Sequence, residues 1–119
     1  MIHANEKEYE LRYDFNAYCE YEERFKSSIV LDLPKKGFAV LRAMVWAGLI
    51  AKYKMSLREA GDLIENAVDS GMTADAIRLE IVKAVNESNF MRRLSETAAE
   101  EEAKRKLQTE KAQEKEFKS

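Results

Sequence analysis

The segment from Phe38 to Ala51 constrains the fold most, because it is apolar on nearly every side of a helix and carries one charge, Arg42. A helix without a polar face is stable only where other elements cover it on several sides. The segment is also too short to cross a membrane. The sequence therefore predicts a buried central helix over about 35–53, with Pro34 in its first turn.

The composition is that of a mostly helical soluble domain. The chain has 119 residues, with 35% charged residues, four glycines and one proline. Its 20 basic and 22 acidic side chains give a net charge of −2 without the basic excess typical of nucleic-acid binders. The single Cys19 and single His3 exclude an internal disulfide and a Cys/His zinc site. The first residues have no apolar signal core, which argues against secretion.

The N-terminal residues indicate a hairpin. Residues 8–13 alternate between polar and apolar, so that Tyr9, Leu11 and Tyr13 share one face of a strand. Residues 1–3 are the predicted partner strand, and residues 4–6 form the turn.

Capping signals predict the helices around the central one. Asp14 is the expected N-cap of a helix over 15–25, and Thr73 that of a helix over 74–94. Ser56 and Glu59 have the spacing of a capping box, which begins an amphipathic helix that ends near Gly71. The predicted fold is mainly α: a small bundle of about four helices with a short hairpin over 1–94. A charged tail over 95–119, helical or disordered, follows.

Two charges interrupt apolar surfaces. Glu22 lies within the apolar arc of the helix over 15–25, and Arg42 lies in the central helix. An isolated buried charge is costly, so the two are candidates for a buried ion pair, either directly or with Glu23 as the acid. Alternatively, the Arg42 stem packs on the fold while its guanidinium reaches solvent.

The helix over 74–94 has apolar residues on two sides. Ile77, Ile81 and Val85 form a stripe toward the core. A second set points away from it and is the candidate partner-binding face: Leu79, Val82, Phe90 and Leu94.

No pattern indicates catalysis. There is no glycine-rich phosphate loop, and no histidine lies near Cys19 to assist it. We expect a protein that is not an enzyme and that has no cofactor, no metal, no membrane partner and no nucleic-acid partner. Residues 57–90 also fit a helix-turn-helix. However, Asp75 and Glu80 lie where phosphates would approach, so this alternative is weaker.

Two strings resemble the tail assembly chaperones of long-tailed phages and prophages. Tyr9–Ala17 (YELRYDFNA), followed by Cys19–Glu23 (CEYEE), is similar to their opening strand and helix. Leu41–Leu49 (LRAMVWAGL) resembles their Leu-Arg-x-Leu-x-Trp-Ala-Gly-Leu helix, with Met and Val in place of the commoner leucines. The resemblance covers about residues 8–70.

The resemblance implies a non-catalytic chaperone in the host cytoplasm that is absent from the finished virion. It implies that the chain binds the tape measure protein, keeps it soluble and helps recruit tail tube protein, as the short form where frameshifting gives two lengths. Self-association into a homo-oligomer also stays open. A small helical adaptor or oligomerisation module is the alternative function.

Overall fold

The structure is a computed structural model that describes residues 1–90, 92 and 93. The chain divides into a compact unit over Met1–Ser88 and a second unit over Asn89–Ser119. The predicted tail over 95–119 and its boundary lie outside the described residues. None of the described helices is long and apolar enough to span a membrane.

The first unit contains an antiparallel hairpin and five helices, which confirms a mainly helical fold with a short N-terminal hairpin. The strands are Ile2–Ala4 (β1) and Lys7–Tyr9 (β2). The helices are Phe15–Phe25 (α1), Ile29–Asp32 (α2), Phe38–Tyr53 (α3), Leu57–Asp69 (α4) and Ala74–Asn86 (α5).

The hairpin turn forms at Asn5 and Glu6, whose φ angles of 51° and 63° are those of a type I′ turn. The predicted strand over 8–13 is wrong in extent, because β2 ends at Tyr9. Beyond it the backbone bonds to α3 instead, since the N–H of Arg12 donates to the Gly48 carbonyl at 2.8 Å. The hairpin itself packs through β1 against α4.

Helix α3 is the centre of the first unit, packing against α1, α4 and α5. Its residues from Ala43 to Leu49 are all buried, which confirms the prediction of a central helix. The helix begins at Phe38 after Gly37 as N-cap, so the placement of Pro34 in its first turn is wrong. The preceding residues form α2, a single turn that the sequence did not predict and that the Ser28 hydroxyl caps.

Side-chain caps set the starts of the other helices as predicted. The Asp14 carboxylate accepts from the N–H of Ala17 at 2.9 Å, and the Thr73 hydroxyl accepts from Ala76 at 3.0 Å. At α4 the Ser56 hydroxyl accepts from Glu59 N–H at 3.1 Å, and the Glu59 carboxylate accepts from Ser56 N–H at 3.4 Å. The capping box is therefore complete.

We expect Ser56→Ala to lower the free energy of unfolding by about 1 kcal/mol, because it leaves a first-turn N–H of α4 without its acceptor. Urea unfolding followed by circular dichroism measures this. Ser70→Ala is the matched control at the other end of α4. The Ser70 backbone N–H, which alanine keeps, donates to the Asn66 carbonyl, so this change removes a hydroxyl without removing that hydrogen bond. Equal losses in the two variants would contradict a capping role for Ser56.

The last helix of the first unit is shorter than predicted. Helix α5 ends at Asn86, and the prediction of one helix over 74–94 is wrong. The chain turns inward there, because the buried Ser88 hydroxyl donates to the Tyr13 carbonyl at 2.6 Å. Helical backbone resumes at Asn89, within the second unit.

Candidate partner-binding surfaces

The outer side of α5 exposes part of the predicted partner-binding face. The inward stripe is confirmed, since Ile77, Ile81 and Val85 are buried. Leu79 is 67% exposed and Val82 is half-buried.

The other two members of that face lie beyond the end of α5. Phe90 is exposed and belongs to the second unit, and Leu94 lies outside the described residues. The structure therefore places only Leu79 and Val82 on one helix. A partner-binding role for the four residues stays a prediction.

The predicted buried pair of Glu22 and Arg42 is wrong, because both side chains are exposed. Helix α1 turns a narrower arc inward than its sequence suggests, burying Ala17, Tyr18 and Tyr21. Among the described residues no ion pair joins Arg42 to Glu22 or to Glu23, which is also exposed.

The Arg42 side chain instead lies across α4. A Cβ placed on Gly61 would lie 3.1 Å from Arg42 Cδ, so the arginine stem covers the bare helix backbone there. This is the alternative in which the stem packs and the charge reaches solvent.

A buried polar cluster, which the sequence did not predict, centres on Asp32. Its carboxylate accepts from the Tyr21 hydroxyl at 2.7 Å and the Ser27 hydroxyl at 2.8 Å, and it pairs with Lys35 Nζ at 2.9 Å. The hydrogen bonds from Lys35 and then Tyr21 lower the pKa of Asp32, while burial and the Asp32 contact raise that of Tyr21. The cluster attaches α2 to α1. An aspartate within the apolar patch of residues 29–33 was its only sequence signal.

The two strings that carry the family resemblance pack on each other. Tyr13 donates from its hydroxyl to the Met44 carbonyl at 2.8 Å, and its ring lies against Gly48 beside Leu11. With the backbone bond from Arg12 to Gly48, these contacts hold the segment after β2 on α3.

Trp46 lies on the opposite side of α3 from Gly48 and packs there against the end of α1. Its indole N–H donates to the Met55 carbonyl at 3.0 Å, and the Arg24 guanidinium lies 5.0 Å from the centre of its ring. The ring also meets Phe25 edge-on. These contacts join the end of α1 to the middle of α3, and α3 to the segment before α4.

Arg78, the basic residue nearest the start of α5, is engaged within the fold. Arg78 pairs with Asp75 at 3.0 Å and donates to the Lys36 carbonyl at 2.7 Å. In the helix-turn-helix alternative α5 would be the recognition helix, but its Arg78 binds Asp75 of the same helix and the loop before α3. A side chain engaged in this way is poorly placed to contact phosphates.

A groove runs between α3 and α4, which we term the α3–α4 groove. One end, about 310 Å³, is mostly apolar and is lined by Phe38, Ala39, Leu41, Arg42, Gly61 and Ile64. The other end, about 620 Å³, carries three arginines and is lined by Arg24, Arg42, Ser56, Leu57, Arg58, Gly61 and Asp62. Arg42 and Gly61 line both ends, so the two ends adjoin where the Arg42 stem crosses α4 at Gly61.

Within the described residues, no three His, Cys, Asp or Glu side chains come together in a way that could hold a metal ion. Cys19 is half-buried, and His3 lies 3.3 Å from Glu8 on the exposed hairpin. Two surfaces of the described residues expose apolar side chains at helical spacing, the outer side of α5 and the α3–α4 groove.

Comparison with known proteins gives no relative: no family model, no curated protein and no solved structure matches the chain.

Proposed function

We propose that the chain is a tail assembly chaperone of a long-tailed phage or prophage. It binds the tape measure protein, keeps it soluble and helps recruit tail tube subunits, without catalysing a reaction. In this role it acts in the host cytoplasm and leaves before the virion is complete. The observation that carries the proposal is the joint packing of the two strings that resemble this family.

That packing explains why both strings have their residue types. The Leu41–Leu49 string needs a small residue at position 48, because Tyr13 and Leu11 from the other string occupy the space beside it. It also uses a tryptophan whose N–H reaches the Met55 carbonyl. The two strings thus pack together, although residues 24–40 separate them in the sequence. A resemblance that covers two segments in contact supports the proposed family more strongly than a resemblance in one short segment would.

A chaperone for a long helical client needs exposed apolar anchors at helical spacing rather than reactive groups. Helix α5 offers Leu79 and Val82 for this, and these two residues form the proposed client-binding face of the first unit. Exposed apolar residues grouped on one helix side are typical of interaction sites.

Co-expression with the tape measure protein of the same phage or prophage tests the proposal. We expect most of that protein to be insoluble when expressed alone and to co-purify with the chain when the two are expressed together. Leu79→Ser combined with Val82→Ser should reduce the co-purified fraction severalfold, because it removes the two apolar anchors on α5. Lys83→Ser, a change on the exposed side of the same helix, is the matched control.

The possible outcomes test the chaperone function and the role of the α5 face separately. A tape measure protein that gains no solubility and does not co-purify would contradict the chaperone function. Co-purification that survives the double change would keep the function and remove the α5 face from it. If instead the double change dissociates a homo-oligomer of the chain while client binding is unaffected, the face is a self-association surface.

A further inference from the structure

The α3–α4 groove combines apolar lining with one end at which basic side chains outnumber acidic ones. Arg24, Arg42 and Arg58 line that end, and Asp62 is the only acidic side chain among its lining residues. None of the three arginines forms an ion pair with any described residue. A chain with net charge −2 thus has three exposed arginines at one place, and the Arg24 guanidinium also packs on Trp46.

The apolar side of the groove follows one face of α4. Leu57 and Ile64, both half-buried, lie on this face with Gly61 between them, and Val68, 47% exposed, continues it. From Leu57 to Val68 the face is about 16 Å long, or three helical turns, at the usual rise per residue. Phe38, 77% exposed, stands at the apolar end on the α3 side.

The apolar face of α4 beside the groove suits the apolar side of an amphipathic helix. The arginines at one end favour carboxylates there, since guanidinium groups bind carboxylates in a paired, planar geometry. Nucleic acid fits less well, because the apolar half of the groove offers phosphates no partner.

We propose that the α3–α4 groove binds an acidic amphipathic helix of a partner protein. The apolar side chains of that helix lie along Leu57, Ile64 and Phe38, and its carboxylates meet Arg42 and Arg58. This site is separate from the α5 face and does not depend on the identity of the client.

The test uses the full chain and a synthetic helical peptide of about 18 residues, with leucines at helical spacing and glutamates near one end. Fluorescence anisotropy measures its Kd at low salt. Two matched peptides have the glutamates replaced by lysines or the leucines scrambled. We expect the acidic amphipathic peptide to bind at least about tenfold more tightly than either of these.

Variants locate the site. Arg58→Glu should weaken binding about tenfold or more and should fold normally, because a glutamate is favourable in the first turn of α4. Phe38→Ser should also weaken binding, and its exposed position spares the core. Lys83→Glu makes the same charge change outside the groove and should leave Kd unaltered. Circular dichroism verifies folding.

Several results would overturn the proposal. One is equal binding of the acidic and basic peptides, and another is unchanged binding in both Arg58→Glu and Phe38→Ser. A third is that the acidic peptide does not bind at all, which is the result expected if another part of this chain fills the groove. Tighter binding of a single-stranded oligonucleotide, lost in Arg58→Glu, would assign the groove to nucleic acid. A dimer in sedimentation that dissociates in Arg58→Glu would assign it to a second copy.

Discussion

Gly48→Ala is expected to lower the free energy of unfolding by about 1–3 kcal/mol, although alanine is the better helix former. A Cβ at position 48 would lie 2.8 Å from Tyr13 Cζ and 2.9 Å from Leu11 Cδ2, closer than carbon atoms approach. Tyr13 is 3% exposed and its hydroxyl holds the Met44 carbonyl, so the ring cannot move aside without losing that bond. The change therefore forces the segment after β2 away from α3.

Gly61→Ala in α4 is the matched control. Its Cβ meets Arg42 Cδ at 3.1 Å, but that side chain is exposed and flexible. We expect no loss of stability, or a gain of up to about 1 kcal/mol from helix propensity. Thermal unfolding should show a shift of several degrees downward for Gly48→Ala and none, or a small rise, for Gly61→Ala. Equal shifts in the two variants would contradict the close packing of Gly48 on Tyr13.

Features that depend on neighbouring residues were predictable from the sequence. The capping box at the start of α4 involves residues three apart, so the pattern alone predicts its hydrogen bonds. The central place of α3 follows from the lack of a polar face, whatever packs on it. Likewise, the helical period of α5 distinguishes the buried Ile81 from the exposed Leu79.

Features set by distant partners were not predictable. Helix α5 ends where it does because Ser88 bonds to Tyr13, 75 residues earlier. Arg42 was expected to need an acidic partner, but the bare backbone of Gly61 lets its stem lie across α4. These contacts become visible only once the helices are placed.

The α3–α4 groove illustrates the same limit at the level of function. Its three arginines come from α1, α3 and α4, and in the sequence each is separated from the next by more than a dozen residues. No local pattern marks them as a group, and the overall acidic balance argues against a positive surface. The face on α5 lies on one helix, which is why Leu79 and Val82 could be found from periodicity.

The Asp32 cluster is expected to make stability depend on pH below about 4. The pKa of Asp32 is lowered in the folded chain by Lys35 and Tyr21, so the folded state binds fewer protons than the unfolded state on the acid side. Its stabilising contribution is therefore complete above the ordinary aspartate pKa. It is lost as the pH falls through the lowered pKa of the folded state.

Asp32→Asn should lower the free energy of unfolding at pH 7 by about 1–3 kcal/mol. The neutral amide cannot form an ion pair with Lys35. It also offers one acceptor oxygen where the carboxylate offers two, one to the Tyr21 hydroxyl and one to the Ser27 hydroxyl. Urea unfolding between pH 7 and pH 3 should show the gap between wild type and variant shrinking below pH 4. Tyr21→Phe removes one hydrogen-bond donor to Asp32 and keeps the ring. In a chain that carries it, the further loss of stability caused by Asp32→Asn at pH 7 should be smaller than in wild type. A difference that stays constant down to pH 3 would mean that the Asp32 charge does not stabilise the junction of α1 and α2.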